Sequence, residues 1–238
     1  GSESDDAAIW SAIQTQPEKR HLITTRVEHP AILSVMQHWE RQGYRVTYLG
    51  VDNKGRLDLD EYAAALTPDT ALASIMFANN EVGNIYPIQR MAEMAREKGV
   101  LFHTDAVQAL GKRDIDFRRL NAAGVHAMTL SAHKAYGPKG AAALILDKRV
   151  ELQPLIAGGG HERGLRSGTE NVAAIVGFGV AAELAAQRVA EVPVQVRLLQ
   201  EKLENGLLAL GAVIFARNAE RLPNTSYFAF RDIDGETL

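Results

Sequence analysis

Short apolar runs alternate with longer stretches whose apolar positions recur at helical spacing, and the alternation continues through most of the 238 residues. Residues 21–26 (HLITTR) read as a strand, and Pro30 opens a helix-like run to Gln42 that stops at Gly43. Residues 44–49 (YRVTYL) form a second strand, followed by the turn Asp52-Asn53-Lys54-Gly55. A short helix is predicted over 57–66. Residues 71–78 (ALASIMFA) have the unbroken apolar character of a strand buried on both faces. An amphipathic helix over 88–98 stops at Gly99. Residues 100–104, 127–131 and 141–146 supply further short apolar strands. A long Ala- and Val-rich helix follows near 171–190, then a break at Val192-Pro193-Val194. Beyond it a helix near 195–210 and strands near 212–216 and 225–230 are expected.

This order predicts an α/β fold, with a mostly parallel central sheet and helices on both faces. The break at Val192-Pro193-Val194 is the candidate boundary. It separates a large unit, 1–190, from the beginning of a smaller α/β unit, 191–238. There is no initiating Met, and the sequence stops abruptly after a strand-like segment. Both ends read as cut from a longer chain.

Composition narrows the function classes. Hydrophobic residues make up 46% and charged residues 23%, as in ordinary globular proteins. A net charge of -3 gives no basic field for nucleic acid or an anionic membrane. No apolar run approaches the roughly 20 residues that span a bilayer, and residues 1–6 lack both parts of a signal peptide. With no cysteine, disulfides, thiolate metal sites and a cysteine nucleophile are excluded within this stretch. The seven histidines are scattered, so no metal site is expected. A cytoplasmic location is expected.

Ligands of open α/β sheets bind beyond the carboxyl ends of the strands. Polar residues gather at such ends here: Asn79-Asn80-Glu81, His103-Thr104-Asp105 with Gln108 one helical turn on, and Ser131-Ala132-His133-Lys134. Charges at a buried sheet edge are costly unless paired. Pyridoxal 5′-phosphate would use them all. Lys134 could form its Schiff base, Asp105 could hold its ring nitrogen protonated, and Asn80 and Gln108 could bind its ring oxygen. Its phosphate needs a helix N-terminus and hydroxyl donors. Gly1-Ser2-Glu3-Ser4, directly before an apolar helix, fits that need, as do Ser131 and His133. Each residue also has a local reading. Asp105 could cap a helix, Asn79-Asn80 could be an Asx turn, and His29 could be a satisfied surface histidine. Gly158 to Gly160 could be only a turn, and Ser167-Gly168-Thr169-Glu170 fits a capping box. Their joint order is what points to the cofactor.

That order resembles a known family. Residues 103–112 (HTDAVQALGK) and 131–140 (SAHKAYGPKG) are similar to the cofactor motifs of the cysteine desulfurases. These belong to the class V aminotransferase group of fold-type I pyridoxal-phosphate enzymes. VEHPAIL (27–33), FANNEVGNIYPI (77–88), GGGHERGLRSGTENV (158–172) and LPNTSYFAF (222–230) resemble the same family in the same order. The resemblance implies that Lys134 carries the cofactor, Asp105 pairs with the pyridine nitrogen, and His29 stacks on the ring. Asn80 and Gln108 would contact the ring hydroxyl, and Gly1, Ser2, Ser131 and His133 the phosphate. Thr169 would reach the phosphate of a partner subunit, making the enzyme a homodimer.

The implied reaction removes sulfur from L-cysteine, giving L-alanine and an enzyme persulfide. The sulfur would pass to an acceptor or scaffold protein of iron–sulfur cluster assembly. Lys134 would be the proton shuttle, with His29 its rival in that role. The family's nucleophilic cysteine and its substrate-carboxylate arginine lie beyond the NTSYFAF strand and are absent here, so the chain alone is expected to be inactive. Ala132 stands where a glycine is often found. A selenocysteine lyase or another class V enzyme would share every cofactor residue named. A fragment acting only as a structural or partner-binding module is the non-enzymatic alternative.

Overall fold

The computed structural model describes residues 1–236, so the last two residues of the expected 191–238 unit lie outside the described ones. Six strands form one sheet: β1 (His21–Thr25), β2 (Arg45–Leu49), β3 (Thr70–Ser74), β4 (Leu101–Asp105), β5 (Ala127–Ser131) and β6 (Ala142–Leu146). Their order is β2-β1-β3-β4-β5-β6. The first five run parallel, and β6 returns antiparallel to β5 with Ser131 opposite Ala142. The connection over 132–141 is too short for the crossover that a parallel pair needs.

Helices cover both faces. On one, α1 (Ser2–Gln14) and α2 (Pro30–Arg41) bury Ile9, Ile13, Ile32 and Met36 against Leu22 and Leu72. On the other, α3 (Leu59–Ala65), α4 (Ile88–Glu97) and α5 (Phe117–Ala123) bury Tyr62, Met91 and Leu120 with Ile23, Ala73 and Phe102. Neighbours Leu22 and Ile23 of β1 thus serve opposite layers, the period-2 alternation of a strand. The short helices start where an aspartate can cap them. The Asp58 carboxylate accepts from the Asp60 and Glu61 amides, and that of Asp116 from the Arg118 and Arg119 amides.

Several sequence expectations are corrected. Residues 1–4 are not a loop ahead of a helix: α1 begins at Ser2, with the Gly1 carbonyl accepting from the Asp5 amide at 3.0 Å. The strand expected over 71–78 ends at Ser74. Ile75 and Phe77 still donate to β4 carbonyls, but the Met76 amide turns to the Glu28 carboxylate instead of to β1. The Ser167 capping box does not form. Asn171 caps α6 (Val172–Arg188) by accepting from the Ala174 amide, and buried Ser167 accepts from Gly160 at 3.3 Å.

The break expected at Val192-Pro193-Val194 falls just before it, at residues 189–191, where the chain bends by 74°; Val192-Pro193-Val194 itself starts α7 (Val192–Ala209). Proline in a first turn lacks only an N–H that would have had no partner there. The last strands shrink to β7 (Val213–Ile214) and β8 (Phe228–Ala229), an antiparallel pair that ends near Ala216, whose φ is 51°. Residues 220–222 lie against 83–85, with Ile85 donating to Glu220 and Leu222 to Gly83. Among the described residues no single helix is long and apolar enough to cross a membrane.

Candidate functional site

The carboxyl ends of β4 and β5, the start of α2 and the N-terminus of α1 surround a half-open cavity of about 170 Å³. Asp105 closes β4 and Ser131 closes β5; the tight turn after β5 (Ala132–Ala135) then carries Lys134 to the rim. Lys134, on the turn after β5, and Asp105, at the end of β4, line the same space. Gly1, Ser2, His29, Asn80, Gln108, Ser131 and His133 line it as well. Of the residues assigned to cofactor contacts in the sequence, Thr169 is the one not brought there; it is exposed on the loop that precedes α6. Among the other strand-end residues singled out, Asn79, Glu81, His103 and Thr104 do not line the cavity.

Local bonds set each group's pose. Asn79 makes the Asx turn, its carbonyl oxygen accepting from the Glu81 and Val82 amides at 3.0 and 2.9 Å, which leaves Asn80 to the cavity. His29 is the N-cap of α2, and its Nδ1 accepts from the Ala31 amide at 3.1 Å. A neutral imidazole held this way carries its proton on Nε2. Ser131 Oγ and His133 Nδ1 are bonded at 2.9 Å. Partial desolvation, then the Lys134 and Lys139 charges, hold the His133 imidazole below its ordinary pKa. Gln108 Oε1 accepts from Lys112 Nζ at 3.2 Å.

The acid of the site is under-compensated. Burial pushes the Asp105 pKa up, against the Val107 amide bonded to its Oδ1 at 2.8 Å and against nearby positive charge, that of Lys134 included. A cation placed before it would offset part of that burial cost. At the other end, the first amides of α1 point their unpaired N–H groups outward from a helix N-terminus. The backbone passes close there: a Cβ on Gly1 would meet Val107 Cγ2 at 3.1 Å. An amine, an acid needing a cation, and an anion cradle therefore converge on one cavity, and this donor set fits pyridoxal phosphate.

Two buried acids escaped the sequence reading. Asp5 lines the cavity one turn into α1 at 1% exposure, with Oδ1 unpartnered. Burial, then the nearby Asp105 carboxyl, pushes its pKa up. Glu28 is 5% exposed, and burial lifts its pKa to about 8. The only early signals were an acid at the spacing that shares a helix face with Gly1, and one beside His29.

A larger hollow of about 400 Å³ lies in the layer of α4 and α5, away from these strand ends. Its arginines already have partners: Arg113 with Glu220 at 2.8 Å, Arg90 with Glu93 and Arg119 with Gln89. It offers no comparable convergence of free polar groups. Among the described residues no group of His, Asp and Glu side chains could hold a metal ion.

Comparison with known proteins adds independent findings. The family model described as Aminotransferase class-V matches residues 1–238. The cysteine desulfurase NifS of Azotobacter vinelandii is 48% identical over 240 residues, which are 100% of this chain and 59% of that protein. The chain spans about 60% of the length of the curated relatives it matches. A solved NifS-like protein superposes with a TM-score of 0.95 at 40% identity, covering 99% of this chain and 65% of the other. SspA, solved in complex with cysteine, gives a TM-score of 0.72 at 42% identity over 76% of this chain and 52% of its own.

Proposed function

Because the chain belongs to the class-V aminotransferase family, whose members depend on pyridoxal phosphate, we propose that the cavity at β4 and β5 holds that cofactor. The observation that carries this reading is the placement of Lys134 and Asp105 in one cavity with the N-terminus of α1. Bound there, the cofactor would supply an electron sink for bonds broken at a substrate Cα.

The chain's own groups take distinct parts. Lys134 would provide the primary amine that attaches the cofactor. Asp105 would pair with the ring nitrogen and hold a proton on it. Asn80 and Gln108 would bind the ring oxygen, while Gly1, Ser2, Ser131 and His133 would hold the phosphate. His29 would stack on the ring. Its Nδ1 is committed to the Ala31 amide, so Nε2 can donate but has no lone pair to accept a proton. That favours Lys134 over His29 as the group that takes the Cα proton.

For the whole protein we propose removal of sulfur from L-cysteine, giving L-alanine and an enzyme-bound persulfide. The named activity of the 48% identical relative supports this, as does the cysteine bound to SspA. This chain has no cysteine, so the thiolate that receives the sulfur must come from elsewhere in the protein. Transfer to an acceptor protein of iron–sulfur assembly, in the cytoplasm, is the further part of the proposal. Exposed Thr169, outside its own chain's cavity, suits a homodimer in which it serves the partner's phosphate. Residues from 191 onward are read as the start of a smaller unit.

The chain should take up pyridoxal phosphate and absorb visible light. Borohydride reduction followed by peptide mass analysis should place the label on Lys134, and Lys134→Ala should carry none. A label on another lysine, or an undiminished one in the variant, would overturn the assignment. With L-cysteine and a thiol reductant, the whole protein should release sulfide above the free-cofactor background, and residues 1–238 alone should not.

A further inference from the structure

Lys112 is absent from the cavity wall, yet it decides what one wall residue can offer. Its Nζ donates to Gln108 Oε1 at 3.2 Å, and Gln108 lines the cavity. A carboxamide has an acceptor end and a donor end, whereas a lysine ammonium can only donate. Binding the oxygen end therefore leaves the NH₂ end for the cavity. The turn around Lys112 is built for this contact. Gly111 adopts φ 74°, and the Lys112 amide donates to the Ala109 carbonyl at 3.0 Å, which folds the chain back toward Gln108.

We propose that Lys112 is a positioning residue that fixes the Gln108 carboxamide with its NH₂ facing the ring oxygen of the cofactor. This rests on the reading above, in which Gln108 contacts that oxygen. Turned the other way, Gln108 would set its carbonyl oxygen against an oxygen that carries negative charge. Burial, with repulsion from Lys134, lowers the Lys112 pKa to about 8. The group is still mainly the ammonium at neutral pH, and even as the free amine it keeps N–H donors.

The test uses the chain loaded with pyridoxal phosphate, reading the cofactor dissociation constant and the position of the visible band. Variants are Lys112→Met, Lys112→Ala, Lys112→Arg, Gln108→Leu and the double Lys112→Met/Gln108→Leu, with folding checked by circular dichroism. Gln108→Leu should weaken cofactor binding and move the band. Lys112→Met and Lys112→Ala should do the same in part, with roughly a fivefold to tenfold rise in the dissociation constant. Lys112→Arg, which keeps donors, should restore the band. In the double variant, loss of Lys112 should add nothing to loss of Gln108. If both Lys112 truncations match the wild type while Gln108→Leu does not, the proposal fails and the cofactor reading stands. Additive losses in the double variant would also overturn it. If Gln108→Leu changes neither readout, the proposal falls together with the reading it rests on.

Discussion

Nε2 of His103 stands 3.7 Å from Oδ1 of Asp5, with both side chains sealed from solvent. They are not an ion pair. Burial drives the His103 pKa down to about 3, and burial with the Asp105 carboxyl drives that of Asp5 up, so both are neutral at pH 5. Asp5 is therefore a buried acid held protonated at pH 5, next to the Asp105 carboxyl.

Its pH dependence follows. A carboxyl whose folded pKa is raised stabilises the fold fully below its unfolded value, and loses that contribution as pH rises through the folded pKa. Asp5→Asn removes the ionisation while keeping the shape. The variant's thermal midpoint should gain on the wild type between pH 5 and pH 8. Thermal unfolding at the two values is the check, and an equal difference at both would disprove a protonated Asp5.

Glu28 supplies a strand bond that β1 does not. Its Oε1 accepts from the Met76 amide at 2.9 Å and from the Thr25 hydroxyl at 2.9 Å. Glu28→Ala should leave a buried N–H unpaired, at a cost of about 2–3 kcal/mol. Glu28→Gln keeps the acceptor and should cost less than half as much. Urea unfolding at pH 5 separates the two, and equal losses would mean that side-chain volume, not the bond, is what matters.

The acids also mark where sequence reading stops. The strand at 127–131 was legible to the residue, because an apolar run bounded by Val125-His126 and a turn admits little else. The end of β3 was not, since ALASIMFA stays apolar while the Met76 amide leaves β1 for Glu28, a contact made across 48 positions. That Lys134, Asp105, Ser131, His133 and the start of α1 would meet in one place was legible, because each lies at or just after a strand end or at a helix start, so local pattern placed them. Asp5 was not, because an acid one turn into a helix looks solvated until α1 is laid on the sheet. Ser167 satisfied a local capping rule, but the loop's own Gly160 amide took its hydroxyl first.

Two glycines in α6 should respond to alanine with opposite signs. A Cβ on Gly177 would lie 2.5 Å from Pro138 Cγ, in the segment that follows the Lys134 turn, and a ring carbon cannot swing aside. A Cβ on Gly179 would meet nothing within 4 Å. Helix propensity favours alanine by about 0.8–1.0 kcal/mol at either site, and overpacking costs about 1–3 kcal/mol. Gly179→Ala should stabilise the chain, and Gly177→Ala should destabilise it and loosen cofactor binding through Lys134. Denaturant titration of both variants is the measurement. Stabilisation by Gly177→Ala would show that α6 is free to shift away from Pro138.

Arg221 and Glu204 form a two-bond ion pair at 2.9 and 3.0 Å, with both side chains at 5% exposure or less. The Ser226 hydroxyl adds a third bond to Glu204 at 2.8 Å. The pair ties α7 to the segment that carries LPNTSYFAF, and Arg221 bridges to Asn84 beyond the Asn79 turn. Desolvating two charges offsets much of their attraction, so the pair itself adds little net stability, yet removing one partner strands the other in the interior. Glu204→Ala or Arg221→Ala should each cost about 3–5 kcal/mol. The combined replacement Glu204→Leu/Arg221→Met should recover most of that loss, because it removes both desolvation costs together. Urea unfolding of the single and double variants forms a closed cycle. If the double variant is as unstable as the sum of the singles, Glu204 and Arg221 act through separate contacts, and the tie between α7 and the 220–226 segment must lie elsewhere.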